Sequence, residues 1–234
     1  MLEDKLKRIC VVGTGTDVGK SVLSLLLMRY FTERGHRPLY LKPFQTGCAS
    51  PSDTAGDARF IYDHLPAFRG KDPADATLFC YREPKAPWFA ARNEGRTATL
   101  APALAAIEEK AGEGHAPLII EGAGGILVPI NAEETMLDLI VRSGSTPVVA
   151  AAAGLGTINH TLLTLEVLAS RGIRPAGVVM MNGTGPDVSE EMIAENMEAI
   201  ENGSGIAVAG VIGRIDDFSA PFPHAEGILN RLFS

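Results

Sequence analysis

Short apolar runs alternate along the chain with longer stretches in which apolar positions recur every three or four residues. The runs Arg8–Val12, Pro38–Leu41, Pro117–Ile120, Pro147–Ala151, Ala176–Met181 and Ile206–Ile212 are strand-sized and bounded by turn formers, so they predict strands. They are continuously apolar rather than alternating, which predicts a sheet covered on both faces. Helical periodicity covers Lys20–Arg34 up to Gly35, Thr99–Lys110 up to Gly112, Asn159–Arg171 up to Gly172 and Asp187–Glu201 up to Gly203. Thr135, with Asp138 three residues on, predicts a capped helix start. Strand and helix in strict alternation predict an α/β chain: a doubly wound, mainly parallel sheet with helices on both faces, residues 1–234 forming a single domain. The stretch 47–96, rich in Pro, Asp and Arg, shows no such period and is expected to hold short helices and specificity elements.

Open sheets of this kind bind ligands beyond the carboxyl ends of their strands, so the residues that follow each run carry the functional reading. After the first run comes Gly13-Thr14-Gly15-Thr16-Asp17-Val18-Gly19-Lys20-Ser21, leading directly into a helix. Glycines let backbone N–H groups close on phosphate oxygens, the helix N-terminus adds positive potential, Lys20 neutralises outer phosphates and Ser21 offers a hydroxyl to magnesium. Five residues separate Gly13 from Gly19 where the usual pattern has four. Either Thr14 replaces the first glycine or the loop is one residue longer. The later runs end in Lys42-Pro43-Phe44-Gln45-Thr46-Gly47, Glu121-Gly122-Ala123-Gly124-Gly125, Gly154-Leu155-Gly156-Thr157 and Asn182-Gly183. Five polar or glycine-rich loops thus emerge at one edge and are expected to converge on one site. A cation, a carboxylate and an amide around one triphosphate make a candidate catalytic constellation for ATP or GTP.

Composition narrows the partners. A formal net charge of −7, with no basic stripe, argues against a nucleic-acid surface. No run approaches the roughly twenty apolar residues that a bilayer span needs, so no membrane role is expected. Cys10, Cys48 and Cys80 have no metal-ligand spacing, and their odd number in a chain read without a secretory leader suits a reducing cytoplasm. The five histidines show no pair at ligand spacing; His160, next to Asn159 at a helix start, is read as a capping and interface residue.

The motifs resemble, in order, those of the dethiobiotin synthetase family of P-loop NTPases. The matching pieces are the long phosphate loop, Tyr40-Leu41-Lys42-Pro43-Phe44-Gln45-Thr46-Gly47, Asp57, Glu83-Pro84-Lys85-Ala86-Pro87, Glu121-Gly122-Ala123-Gly124-Gly125, Gly156-Thr157-Ile158-Asn159-His160 and Asn182. The resemblance implies a P-loop NTPase fold and closure of a cyclic urea from 7,8-diaminopelargonate, CO2 and ATP, in biotin synthesis. It implies nucleotide binding by Gly15, Thr16, Asp17, Val18, Gly19, Lys20 and Ser21, with Asn182 on the adenine edge. Lys20, Lys42 and Thr16 would be catalytic, Lys42 lying between carbamate and γ-phosphate, and Thr46 would hold carbamate or phosphoryl oxygens. Magnesium would take Ser21, Asp57 and Glu121. Gly156, Thr157 and Asn159, at a helix N-terminus, would receive the far carboxylate of diaminopelargonate, completed across a homodimer interface.

Two departures stand out. Relatives commonly carry a basic residue in the segment just before the Gly154-Leu155-Gly156-Thr157-Ile158-Asn159-His160 motif, whereas here Ala150, Ala151, Ala152 and Ala153 run into Gly154, and residues 214–234 match no assigned element. Three alternatives compete. A glutamine-dependent synthetase of the cobyrinate type would need a further domain, and a partitioning ATPase of the MinD kind would carry a lysine where Thr14 stands. A nonenzymatic regulatory module would not need Lys42, Asp57 and Glu121 together.

Overall fold

The structure, a computed structural model, describes residues 6–183, 188–220 and 223–233. Strand β1 (Arg8–Gly13) leads through the phosphate loop into helix α1 (Lys20–Glu33), and β2 (Leu39–Leu41) follows. Two short strands, β3 (Phe44–Thr46) and β4 (Phe79–Tyr81), enclose α2 (Asp57–His64). Then come α3 (Pro87–Asn93), α4 (Leu100–Gly112), β5 (Leu118–Gly125), α5 (Met136–Ser143), β6 (Thr146–Ala152), α6 (Thr157–Ser170), β7 (Gly177–Asn182), α7 (Glu190–Ser204), β8 (Val208–Gly213) and α8 (Pro223–Phe233). Six strands form one sheet in the order β2-β5-β1-β6-β7-β8, every pairing parallel. The doubly wound expectation therefore holds.

The continuous apolar runs are explained by two cores, one on each face of the sheet. Along β1, Ile9 and Val11 enter the core beneath α1, α2 and α8, while Cys10 and Val12 enter the core beneath α3 to α7. Alternate side chains of a strand leave opposite faces, so a strand covered twice must be apolar throughout. Burial pushes the Cys10 thiol up to about 12, as suits an inert core cysteine. Strand order reverses at β1, which lies between β5 and β6, so the phosphate loop opens at the topological switch point of the sheet.

Several predicted boundaries shift. The first core strand, α1 and the cap at Thr135 are as expected; Asp138 accepts from the Thr135 N–H at 2.8 Å and from its hydroxyl at 2.7 Å. Helix α6 begins at Thr157, two residues before the predicted start. Helix α7 runs through Gly203 and stops at Gly205, whose φ of 64° makes it the left-handed terminator. Its start is capped by Ser189, which accepts from the Met192 N–H at 3.2 Å; the predicted start at Asp187 lies outside the described residues. The pair β3–β4 was not expected. Strands of three residues carry too little periodicity to separate from loop.

Candidate active site

Register decides which side chains meet. Tyr40 of β2 pairs with Ile119 of β5, so Glu121, two residues further along β5, leaves the sheet on the same face as Tyr40. Lys42, two residues beyond Tyr40, follows on that face. Helix α1 covers it and brings down Ser21 and Ser24, one turn apart. Glu121 was expected in a loop, yet it lies within β5, opposite Val11. An irregularity between Val11 and Gly13 lets β5 continue to Gly125, and the carboxylate is tolerated in the sheet because it is fully partnered.

Its partners form one cluster. Lys42 Nζ lies 2.8 Å from Glu121 Oε1 and 2.8 Å from Asp57 Oδ2, and donates to the Gly122 carbonyl at 3.2 Å. Ser21 Oγ is 2.7 Å from Asp57 Oδ1 and 2.9 Å from Glu121 Oε1. Tyr40 and Ser24 each donate to Glu121 Oε2 at 2.9 Å. Asp57 opens α2, and Gln45 of β3 holds that turn by accepting from the Asp57 N–H at 3.2 Å. The charges reinforce one another. Burial works against the Lys42 ammonium, but Glu121 and Asp57 outweigh it and hold its pKa above the ordinary lysine value. Burial likewise raises Asp57, yet Lys42 and Ser21 hold its carboxyl below the usual range. Burial and the neighbouring Lys42 hold Lys20 below the ordinary value.

The phosphate loop is built for close approach. A Cβ on Gly13 would stand 2.6 Å from the Gly15 carbonyl oxygen and 2.9 Å from Val18 Cγ2, so only glycine fits at this position. Thr14 N–H donates to the Ala150 carbonyl at 3.0 Å, and Lys20 Nζ donates to Gly15 O at 3.0 Å. Gly19 takes φ 86° at the helix start, and Asp17 takes φ 57°. A backbone φ above zero is costly outside glycine, so Asp17 stands where strain concentrates in functional loops.

A cleft of about 700 Å³ joins these parts, lined by Thr16, Asp17, Gly19, Lys20, Ser21, Lys42, Thr46, Asp57 and Glu121, with Lys85 at its rim. Gly15 contributes its carbonyl to Lys20, whereas Val18 turns into the core. Beside Gly19 a second hollow of about 370 Å³ is formed with Val22, Met181, Gly183, Gly213 and Ile215. Asn182 sits between Met181 and Gly183 at the end of β7, facing Gly213 in register. Gly156, Thr157 and Asn159 are not in the cleft. The Thr157 hydroxyl is buried 3.4 Å from that of Thr161, and exposed Asn159 lines a separate groove of about 540 Å³ with Leu162, Leu163 and Glu166. Sequence reading missed Ser24, and named Tyr40, Gln45 and Lys85 only as members of matched motifs, without a role. Spacing offered a hint for two: Ser24 is one turn past Ser21, and Tyr40 alternates with Lys42.

A family model described as AAA domain matches residues 7–221. The ATP-dependent dethiobiotin synthetase BioD of Anaeromyxobacter dehalogenans (strain 2CP-C) is 39% identical over 183 residues, covering 78% of this chain and 79% of that one. The chain belongs to the dethiobiotin synthetase family. The BioD protein of Paramagnetospirillum magneticum is 37% identical over 207 residues, 88% of each chain. The biotin biosynthesis bifunctional protein BioCD of Bordetella avium is 37% identical over 212 residues, which are 91% of this chain and 40% of that protein. Among solved structures, the MinC:MinD cell division complex of Aquifex aeolicus aligns with a TM-score of 0.59 at 14% identity, over 97% of this chain and 94% of that one. That likeness is one of fold. Among the described residues no helix is long and apolar enough to cross a membrane.

Proposed function

We propose that this member of the dethiobiotin synthetase family closes the ureido ring of dethiobiotin at the cleft between the phosphate loop and the Lys42–Asp57–Glu121 cluster. The observation that carries the reading is Lys42: a buried ammonium held by two carboxylates, in one cleft with the phosphate loop, is what a carbamate and a γ-phosphate need between them. One amine of 7,8-diaminopelargonate adds to CO2 and loses a proton, giving a carbamate. A carbamate oxygen then attacks the γ-phosphorus of ATP, the bond to the β-phosphate oxygen breaks and ADP leaves. The second amine attacks the carbonyl carbon of the mixed anhydride and expels phosphate, closing the ring. No enzyme nucleophile is required. The protein's task is to position and neutralise.

Lys20 would lie along the β- and γ-phosphates, and Lys42 would bridge carbamate and γ-phosphate; Thr16 and Thr46, which both line the cleft, would orient the oxygens. The donor set suits magnesium: Ser21, Asp57 and Glu121 offer only oxygens around one point. Among the described residues no three His, Cys, Asp or Glu side chains gather as a complete site, so ATP oxygens and water must supply the rest. When bound, the ion would draw negative charge from the γ-phosphate. The hollow beside Gly19 would take the adenine; Met181 and Gly183 line it, and Asn182 between them, the residue proposed for the adenine edge, does not.

The same reading makes the protein a homodimer. Leu155 is 95% exposed and Leu163 57%, on the turn before α6 and on α6 itself, with Asn159 between them. An interface over this face would bury both leucines and bring the N-terminus of α6 toward a neighbouring cleft, giving the diaminopelargonate carboxylate a partner. The test is turnover: ADP and dethiobiotin should form together when ATP, magnesium, diaminopelargonate and bicarbonate are present, and omission of either carbon substrate should stop both. ADP released at an unchanged rate without diaminopelargonate would refute the reading.

A further inference from the structure

The two oxygens of Glu121 live in different surroundings. Oε1 faces Lys42 Nζ at 2.8 Å and Ser21 Oγ at 2.9 Å, on the cleft side. Oε2 faces away and accepts from the Tyr40 hydroxyl and from Ser24, each at 2.9 Å. Tyr40 and Ser24 are fully buried and Glu121 is 1% exposed, so water does not compete for these bonds. Each hydroxyl has one proton, and both are spent on the same oxygen. The two donors come from different elements, β2 beside β5 in the sheet and α1 packed over its face, so together they fix the plane of the carboxylate and not merely its position. Neither residue touches the space where phosphates would lie; both act through Glu121.

We propose that Tyr40 and Ser24 are positioning residues that hold Glu121 as a one-oxygen ligand, Oε2 tied back and Oε1 alone presented to the divalent cation that accompanies ATP. The proposal rests on the reading of Glu121 as a magnesium ligand. Its physical consequence is a preference between ions. Magnesium demands compact octahedral geometry with singly attached carboxylates, whereas calcium accepts both oxygens of one carboxylate at longer distance. A carboxylate that cannot turn favours magnesium. Partners behind a metal ligand typically matter 10–100-fold for affinity.

The variants Tyr40→Phe and Ser24→Ala each remove one donor with little change of volume, and the pair removes both. Calorimetry of ATP binding across a magnesium series, a calcium series and in chelator reads the effect without turnover. Each single variant should need at least about tenfold more magnesium for half-maximal tightening of ATP binding, and the double variant more. Calcium dependence should weaken less, so the preference for magnesium over calcium falls, while ATP affinity in chelator stays at the wild-type value. Should one variant fail to fold, the other reads the same oxygen. Unchanged magnesium dependence in a folded variant, whatever its melting temperature, would overturn the proposal, because the hydroxyls would then only satisfy the core. An unchanged preference between the two ions would overturn the one-oxygen assignment. Glu121→Gln separates the underlying reading: if that variant keeps wild-type magnesium dependence, Glu121 is not a ligand and both readings fall; if it loses it while Tyr40→Phe and Ser24→Ala do not, only the positioning role falls.

Discussion

Replacing Lys42 by Met removes a charge while nearly keeping the length of the side chain, and the structure turns this into a test of stability as well as of chemistry. On sequence alone such a protein would be expected to fold normally and lose only catalysis. The buried cluster changes that expectation. Lys42 is the ammonium facing both Asp57 and Glu121, with its own side chain 4% exposed and that of Glu121 0%. Removing one partner of a buried ion pair typically costs about 3–5 kcal/mol, because the other charge stays behind uncompensated. Asp57 is 30% exposed, which lets water relieve part of this and favours the lower end, about 3 kcal/mol. In a domain of this size that corresponds to a melting temperature lower by about 6–12 °C. The loss depends on pH with a definite sign. In the wild type Asp57 is held below its ordinary pKa, so its contribution to stability is present above the unfolded value and is lost as pH falls through the lower, folded one. Without Lys42, burial raises the Asp57 carboxyl instead. The variant's deficit should therefore be largest near neutral pH and shrink on acidification. Magnesium without nucleotide should restore much of the melting temperature in the variant, since the ion takes the place of the ammonium, and should do little for the wild type. Thermal melts from about pH 8 to about pH 3, with and without magnesium, read all three effects. Product formation should fall at least about a hundredfold, the scale of removing one preorganised charge from a developing transition state. A variant that melts with the wild type across this range, ignores magnesium, or retains turnover would refute the account of Lys42.

The other expectations concern separate parts of the molecule. Asp57→Asn and Glu121→Gln should weaken ATP binding in magnesium far more than in chelator, read by calorimetry; equal loss in both would make them supports of the fold. Gly13→Ala places a methyl group 2.6 Å from the Gly15 carbonyl oxygen, a backbone atom that cannot move without reshaping the loop, so ATP affinity should drop at least about tenfold in a protein that still folds. Asp138→Ala removes the acceptor of both Thr135 bonds and should cost about 1 kcal/mol in denaturant titration with no change in ATP affinity. Leu163→Arg, on the exposed face of α6, should shift sedimentation toward monomer and reduce turnover; a monomer at full activity would remove the shared site.

Local features were legible from the chain because their causes are local. The phosphate loop, its flanking strand and helix, the cap at Thr135 and most of the strands rest on the order of neighbouring residues: an apolar run that must be covered twice, a glycine where φ turns positive, a hydroxyl three residues before a carboxylate. Counting parallel strands sets the five loops at one edge of the sheet, but of these only the phosphate loop, the loop after β2 and the end of β5 line the cleft. Partnership was not legible. Lys42 and Glu121 stand 79 residues apart and Tyr40 and Glu121 81 apart, and only the pairing of β2 with β5 sets them on one face beneath α1. A buried carboxylate inside a strand contradicts every local rule and is stable solely because four donors, two from α1, one from β2 and one from the residue that follows β2, converge on it, so the chain read linearly puts Glu121 in a loop. In the same way Gly156, Thr157 and Asn159 belong to the motif by order yet lie outside the cleft of this one chain. Periodicity records which face a residue takes; which residue it meets there is set by register and crossing, and those exist only in the folded sheet.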